Sequence, residues 1–522
     1  MKKRFFVLFV VAMFILVACA GGCTAKPEET APVVDSEVAP TDEAVAEKRS
    51  DINVCLVASI PTIDPQEASF AQGFAVRQQI YDSLTYQTLA GEVGLRLAES
   101  YTLSEDGRVY TFKLHEGVLF HNGEELKASD VVFTFERAKD HDALYSVTKL
   151  IESVTAIDDY TVEFKLYEPN SPFLSAIATD YYGILNEKFV TEEAPEGRLD
   201  EIACGTGPYK LVSFNSETEI VLEAFKEYYR GEPSIDKVTF KIITDHQTAV
   251  VALETGDLDF MNIPATSYAA FSDNAEFTAG IKDMGEVSFI ALNAESGPLA
   301  DPKVRQALAY ALDREGAVIA VNEGLGAPAY CLINHDLIPL APTEFEKYEY
   351  NPEKAKALLA EAGYADGLDV GVLKTSATYT LFTKLAQFYQ QNLSAIGVNM
   401  ELELMEGNTL VADGRNQNFD LFILSEELTG DPDMLNMMLA STGAANYAGY
   451  ADAEVDELFA QGARESGDAE RAAIYQKIVD LTQEDMVYIP ATYNLVPYAY
   501  DKDLTIDAMT KYFFNIYDAH WN

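Results

Sequence analysis

Between residues 110 and 114, apolar Tyr110, Phe112 and Leu114 alternate with Thr111 and Lys113, the two-residue period of a half-buried strand. The same period returns where Val162, Phe164 and Leu166 alternate with Thr161, Glu163 and Lys165. Glu105-Asp106-Gly107 predicts a turn before the first of these strands, with glycine available where φ must be positive. Between the strands the period lengthens. Val131, Phe135 and Ala138 fall on one side of a helix, and Ser129 is its expected N-cap. Strand, helix and strand together predict a compact α+β unit.

Short apolar runs at 51–60, 235–243, 288–293, 419–424 and 487–497 read as further strands. Helical stripes lie among them. Val76, Ile80 and Leu84 predict a helix over 75–84, and Val304, Leu308 and Ala311 another, capped by Asp301 with Pro302 in its first turn. Asn351-Pro352 opens a third, which Gly363 closes in the C′ place, and a fourth covers 469–484. A chain of 522 residues is too long for one core and implies two or three domains.

The N-terminus has a different pattern. Lys2-Lys3-Arg4 precedes an apolar run over 5–17, the layout of a secretory signal and too short for a comfortable membrane span. Leu16-Val17-Ala18-Cys19 resembles a lipobox, with Cys19 the expected lipidated first residue; Cys23, with Ala20 at −3, is the alternative. Residues 24–50, rich in Ala, Pro, Glu and Val, read as a disordered tether. The expectation is a protein lipid-anchored on the extracytoplasmic face of a cell membrane.

Acidic residues outnumber basic ones 84 to 37, a net charge of −47. Such a surface repels nucleic-acid phosphates and anionic lipid headgroups and argues against both as direct partners. Cys55, Cys204 and Cys331 are the cysteines beyond the tether, an odd number whose pairing sequence leaves open.

Six histidines are scattered without metal-ligand spacing, and no CxxC, HExxH, GxSxG or P-loop occurs. Gly205-Thr206-Gly207-Pro208 lacks the third glycine of a dinucleotide loop, and Pro208 blocks a helix opening there. Carboxylate pairs are abundant in so acidic a chain, so Glu426-Glu427 alone does not support a hydrolase. These motifs point to no enzyme, cofactor or metal site.

As a string, residues 98–137 closely resemble the signature segment of the family 5 extracytoplasmic solute-binding proteins, the peptide-binding subunits of ABC importers. Further segments resemble the same family in the same order: the Asp64-Pro65 loop, Gly205-Thr206-Gly207-Pro208-Tyr209, the helix from Asp301, the helix closed by Gly363, and Asn446-Tyr447-Ala448-Gly449-Tyr450. The resemblance runs from about 52 to 500. It implies an α/β, two-lobed, periplasmic-binding-protein-like fold of type II with an extra α+β subdomain in the first lobe.

The expected division is a signal peptide at 1–18, lipidated Cys and tether at 19–50, and first-lobe segments at 51–92, 205–288 and 495–522. The inserted subdomain covers 93–204 and the second lobe 289–494, with chain crossings near 288–293 and 487–497. Ligand-binding residues expected from the resemblance are Ser69, Phe70, Thr206, Glu426, Glu427, Asp431, Asn446 and Tyr447. Peptide-binding relatives place an amine-pairing Asp four residues before the Pro of this last loop. That place is Leu428 here, with Glu427 one position off, and Ser425 stands where an aromatic is usual.

The implied role is capture of a peptide by a monomer that delivers it to the permease and ATPase of an importer. The alternatives are another solute in the same fold, such as an oligosaccharide or metal chelate, a surface hydrolase, or a receptor without transport.

Overall fold

A computed structural model describes residues 49–67, 71–88, 91–141, 144–194, 198–295, 297–507, 509–510 and 513–522. The expected signal, the tether up to residue 48 with Cys19 and Cys23, and Ser69 and Phe70 lie outside the described residues.

Two strands organise the fold. Phe277–Leu292 and Tyr488–Asp501 pair antiparallel from Phe277 opposite Asp501 to Ala291 opposite Tyr488. Together they cross the middle of an eleven-stranded mixed sheet. On the first-lobe side follow Phe260–Asn262, Asp51–Leu56, Lys237–Ile242, Glu219–Ala224 and Tyr209–Asn215. On the second-lobe side follow Leu421–Glu427, Leu368–Ser376 and Val398–Met405, and Gly326–Pro328 pairs with the late crossing strand. The crossings expected at 288–293 and 487–497 are therefore parts of strands 16 and 14 residues long.

Each half has its own cores. In the second lobe Ile290, Leu292, Leu421 and Ile423 face one side of the sheet, with Leu308 and Leu385 of the covering helices. Their neighbours Phe289, Ala291 and Phe422 face the other side, with Tyr447 and Leu428. This is the alternation the pleat imposes. In the first lobe Ile52, Val54, Phe240 and Phe260 pack with the C-terminal Phe513, Phe514 and Trp521. The Trp521 indole N–H donates to Asp51 O at 2.9 Å, and the Arg49 guanidinium lies 4.2 Å over its ring.

The α+β unit has its own four-stranded sheet, in the order Ala98–Leu103, Val109–Leu114, Thr161–Leu166 and Ile151–Asp158. Tyr110, Phe112, Leu114, Val162, Phe164 and Leu166 are all buried in its core, against the helix Ala128–Ala138. That helix begins before the expected Ser129 cap. The Asp130 carboxylate reaches back to the Lys127 N–H at 2.9 Å and takes the Glu187 N–H at 3.0 Å, so it caps from inside the first turn.

The first predicted helix is also shifted, to Ala71–Ile80, leaving Leu84 buried beyond its end. The cause is the Gly205-Thr206-Gly207 segment, which packs on the helix terminus. Gly207 N–H bonds Ile80 O at 2.8 Å, and a Cβ on Gly205 would fall 2.0 Å from that same oxygen. Those two glycines serve a backbone crossing.

The strand read at 51–60 stops at Leu56, whereas that read at 419–424 runs on to Glu427. The helix caps at Asp301 and Asn351 form as expected, accepting the N–H of Lys303 at 2.8 Å and of Lys354 at 3.0 Å. Cys55, Cys204 and Cys331 are buried, and among the described residues none forms a disulfide.

Candidate functional site

Strand register assigns the carboxylates of the 425–431 region to different faces. Glu427 lies opposite Glu286, Glu426 opposite Val287 and Ser425 opposite Ser288. Residues directly opposite in an antiparallel pair share a face, and successive residues alternate. Glu427, Ser425, Glu286 and Ser288 therefore project together, while Glu426 projects the other way.

The first group forms a polar cluster on the early crossing strand and the strand beside it. The Ser425 hydroxyl donates to Glu286 Oε1. Asn494, opposite Glu286 on the late crossing strand, donates to Ser288 Oγ at 2.9 Å and accepts from Asn322 at 3.0 Å. Burial raises the Glu286 carboxyl above the usual range, and the Ser425 bond opposes this.

Lys282, on the same strand, is 3% exposed. Burial lowers its ammonium to about 8 against the attraction of Glu427. From the first lobe comes Tyr181, whose phenol is raised by burial first and then by the charges of Asp180 and Glu427. Tyr181 meets Phe74 edge-on at 5.2 Å, and Arg77 beneath them is held by Asp180 at 2.7 Å. The charge of Glu427 in the second lobe is thus felt by an aromatic residue of the first.

Glu426 has a different setting. The Tyr447 hydroxyl donates to it at 2.9 Å, and Tyr447 is buried between Phe289 and Phe422. Burial raises the Glu426 carboxyl, and the Tyr447 bond partly offsets that. Asp431 accepts both arms of Arg471, at 2.8 and 2.9 Å, and the Asp433 N–H at 2.9 Å. Asn446 stitches its own loop, donating to Ala440 O and Tyr450 O and accepting the Tyr450 N–H at 2.9 Å. Thr206 is fully buried in the first lobe, and among the described residues its hydroxyl has no hydrogen-bond partner.

The structure therefore groups Glu427 with Glu286, Ser425, Lys282, Asn494 and Tyr181, and pairs Glu426 with Tyr447. It engages Asp431 and Asn446 in loop architecture. Sequence reading missed Glu286, Lys282, Asn494 and Tyr181. The one signal for the first two was charge inside a strand, at 282, 283 and 286, just before a run at 287–292 that is apolar except for Ser288. No group of His, Cys, Asp and Glu among the described residues is arranged to hold a metal ion, and no helix among them is long and apolar enough to cross a membrane.

The pattern of the bacterial extracellular solute-binding proteins, family 5 (middle region), matches residues 92–448. The oligopeptide-binding protein AppA of Bacillus subtilis (strain 168) is 32% identical over 462 residues, 81% of this chain and 83% of that protein. The glutathione-binding protein GsiB of Escherichia coli (strain K12) is 29% identical over 473 residues, 87% of this chain and 91% of that protein. Among solved structures, the ABC transporter-associated periplasmic binding protein DppA of Helicobacter pylori, in complex with the peptide STSA, superposes with a TM-score of 0.77. It is 25% identical, over 91% of this chain and 98% of that one. A two-lobed α/β fold crossed by two strands, matched by this pattern and these relatives over most of its length, places the chain in family 5 of the bacterial extracellular solute-binding proteins.

Proposed function

We propose that this chain captures peptides between its lobes and delivers them to the permease and ATPase subunits of an ABC importer, as a monomer lipidated at Cys19. The observation that carries the reading is the Glu286–Glu427 pair, one on a crossing strand and one on the strand beside it, with the charge of Glu427 felt by Tyr181 of the first lobe. The face holds two partly buried carboxylates against one buried ammonium, Lys282, and the charge of Glu427 raises the cost of ionising Glu286, which favours a further cation there. A peptide α-ammonium fits that demand, and an aromatic wall suits the apolar part of a ligand. Glu427, one place from the residue at which peptide-binding relatives carry Asp, supplies the charge from the neighbouring register position. Glu426 acts behind it by holding Tyr447. AppA, GsiB and DppA, with their peptide or glutathione ligands, support this substrate class. No step in it requires catalysis.

One observation favours a second reading. Leu428, at the place of the relatives' Asp, is fully buried in the second-lobe core, which removes a charge from that point of the cleft. A cationic non-peptide solute would satisfy Glu286 and Glu427 equally.

Native mass spectrometry of the secreted chain, before and after partial denaturation, tests both. A ladder of released masses that fragment into amino acids supports the peptide reading. One non-peptide mass overturns it in favour of the second.

A further inference from the structure

The crossing strands are not the only place where the lobes meet. Beyond the strand Thr161–Leu166, residues 168–171 of the inserted unit reach the C-terminal end of the helix Ala453–Arg464 in the second lobe. Ser171 donates its backbone N–H to Ala463 O at 2.8 Å and its hydroxyl to Glu465 O. Beside it Arg464 grips one oxygen of Glu168, through Nε at 2.9 Å and Nη2 at 2.8 Å. The last carbonyls of a helix have no intrahelical partner, so the amide and hydroxyl of Ser171 meet an existing demand.

The far side of this contact is anchored. Arg471 donates Nε to Gly462 O at 3.0 Å and closes with both arms on Asp431, which ends the loop that starts at Glu427. A second touching point lies beside the same loop. A Cβ on Gly91 would fall 2.8 Å from Pro339 Cδ and 3.2 Å from Gly430 O, so the turn at residue 91 of the first lobe is pressed against the second.

We propose that the inserted unit works as a clasp, its 168–171 corner holding the lobes together over the cleft. Closure then has two sources: contacts with the solute, and this fixed contact between protein groups. Because the clasp is built from the chain's own groups, it acts whichever solute the cleft accepts. The Glu168–Arg464 pair is half exposed, so it shifts the closed-to-open ratio only modestly, while the Ser171 bonds give it register.

The test is single-molecule energy transfer on the full chain, with dyes on azido residues at the exposed positions 145 and 319. It needs no solute, so its outcome is separate from the identity of the ligand. Glu168→Arg and Arg464→Glu should each lower the closed-to-open ratio about two- to fivefold, and the double reversal should restore it. Single variants with the wild-type ratio, a double variant as open as the singles, or a wild type with no closed population would each overturn the clasp.

Discussion

At the scale of single residues, the face assignment separates three adjacent acids by function. Glu286→Gln and Glu427→Gln should each weaken binding of the solute identified by mass spectrometry about tenfold or more, the cost of losing a hydrogen bond to a charged group. Glu426→Gln should cost less, since its carboxylate faces Tyr447. Titration calorimetry on the three variants checks the order, and equal losses would refute the face assignment. His121 carries a prediction about pH. Its Nε2 bonds Gly207 O at 2.9 Å and its Nδ1 accepts the Gly205 N–H at 3.3 Å, which fixes a neutral ring. Desolvation lowers its pKa from 6.5 to about 4. The unfolded chain therefore takes up the proton first, and the ring's contribution to stability, complete above pH 6.5, is lost as pH falls toward 4. In thermal unfolding, the advantage of wild type over His121→Asn should shrink across that interval.

At the scale of elements, the sequence was most readable where one period ran unbroken. The alternation at 110–114 and 161–166 and the caps at Asp301 and Asn351 reappear residue for residue. It was least readable where a distant segment decided the outcome. Nothing local to 75–84 announces that Gly205 and Gly207 will end that helix at Ile80. Nor does anything local to Glu427 announce Glu286, since a register across 141 residues is set by the whole sheet. Gly285 shows the consequence. It sits at φ +70° in the irregularity between Asp283 and Glu286, and a Cβ there would lie 2.7 Å from Leu428 O. Gly285→Ala should lower stability in urea by about 1–3 kcal/mol through backbone strain and overpacking. An unchanged midpoint would show that the loop yields freely.

At the scale of the whole molecule, a hinge made of two paired strands permits bending but resists sliding, because their hydrogen bonds fix the register. On the proposed function, lobe closure is a rotation that solute contacts favour in proportion to their preference for the closed state. Small-angle scattering should show a smaller radius of gyration once the released solute is added back. An unchanged radius would count against a hinge opened by solute release. The two-lobed plan was legible because the motifs of the family stand in order. The solute was not, because the proposed recognition groups come from strands that meet only in the folded sheet.

The lone tryptophan is a built-in optical probe of one region. Trp521 is 5% exposed under Arg49 in the first-lobe core, whereas the aromatic residues of the proposed site are Tyr181 and Phe74. Its emission should report melting of the first lobe and stay nearly constant during a solute titration. Fluorescence excited at the red edge would then follow unfolding alone, while tyrosine-weighted excitation would also register occupancy.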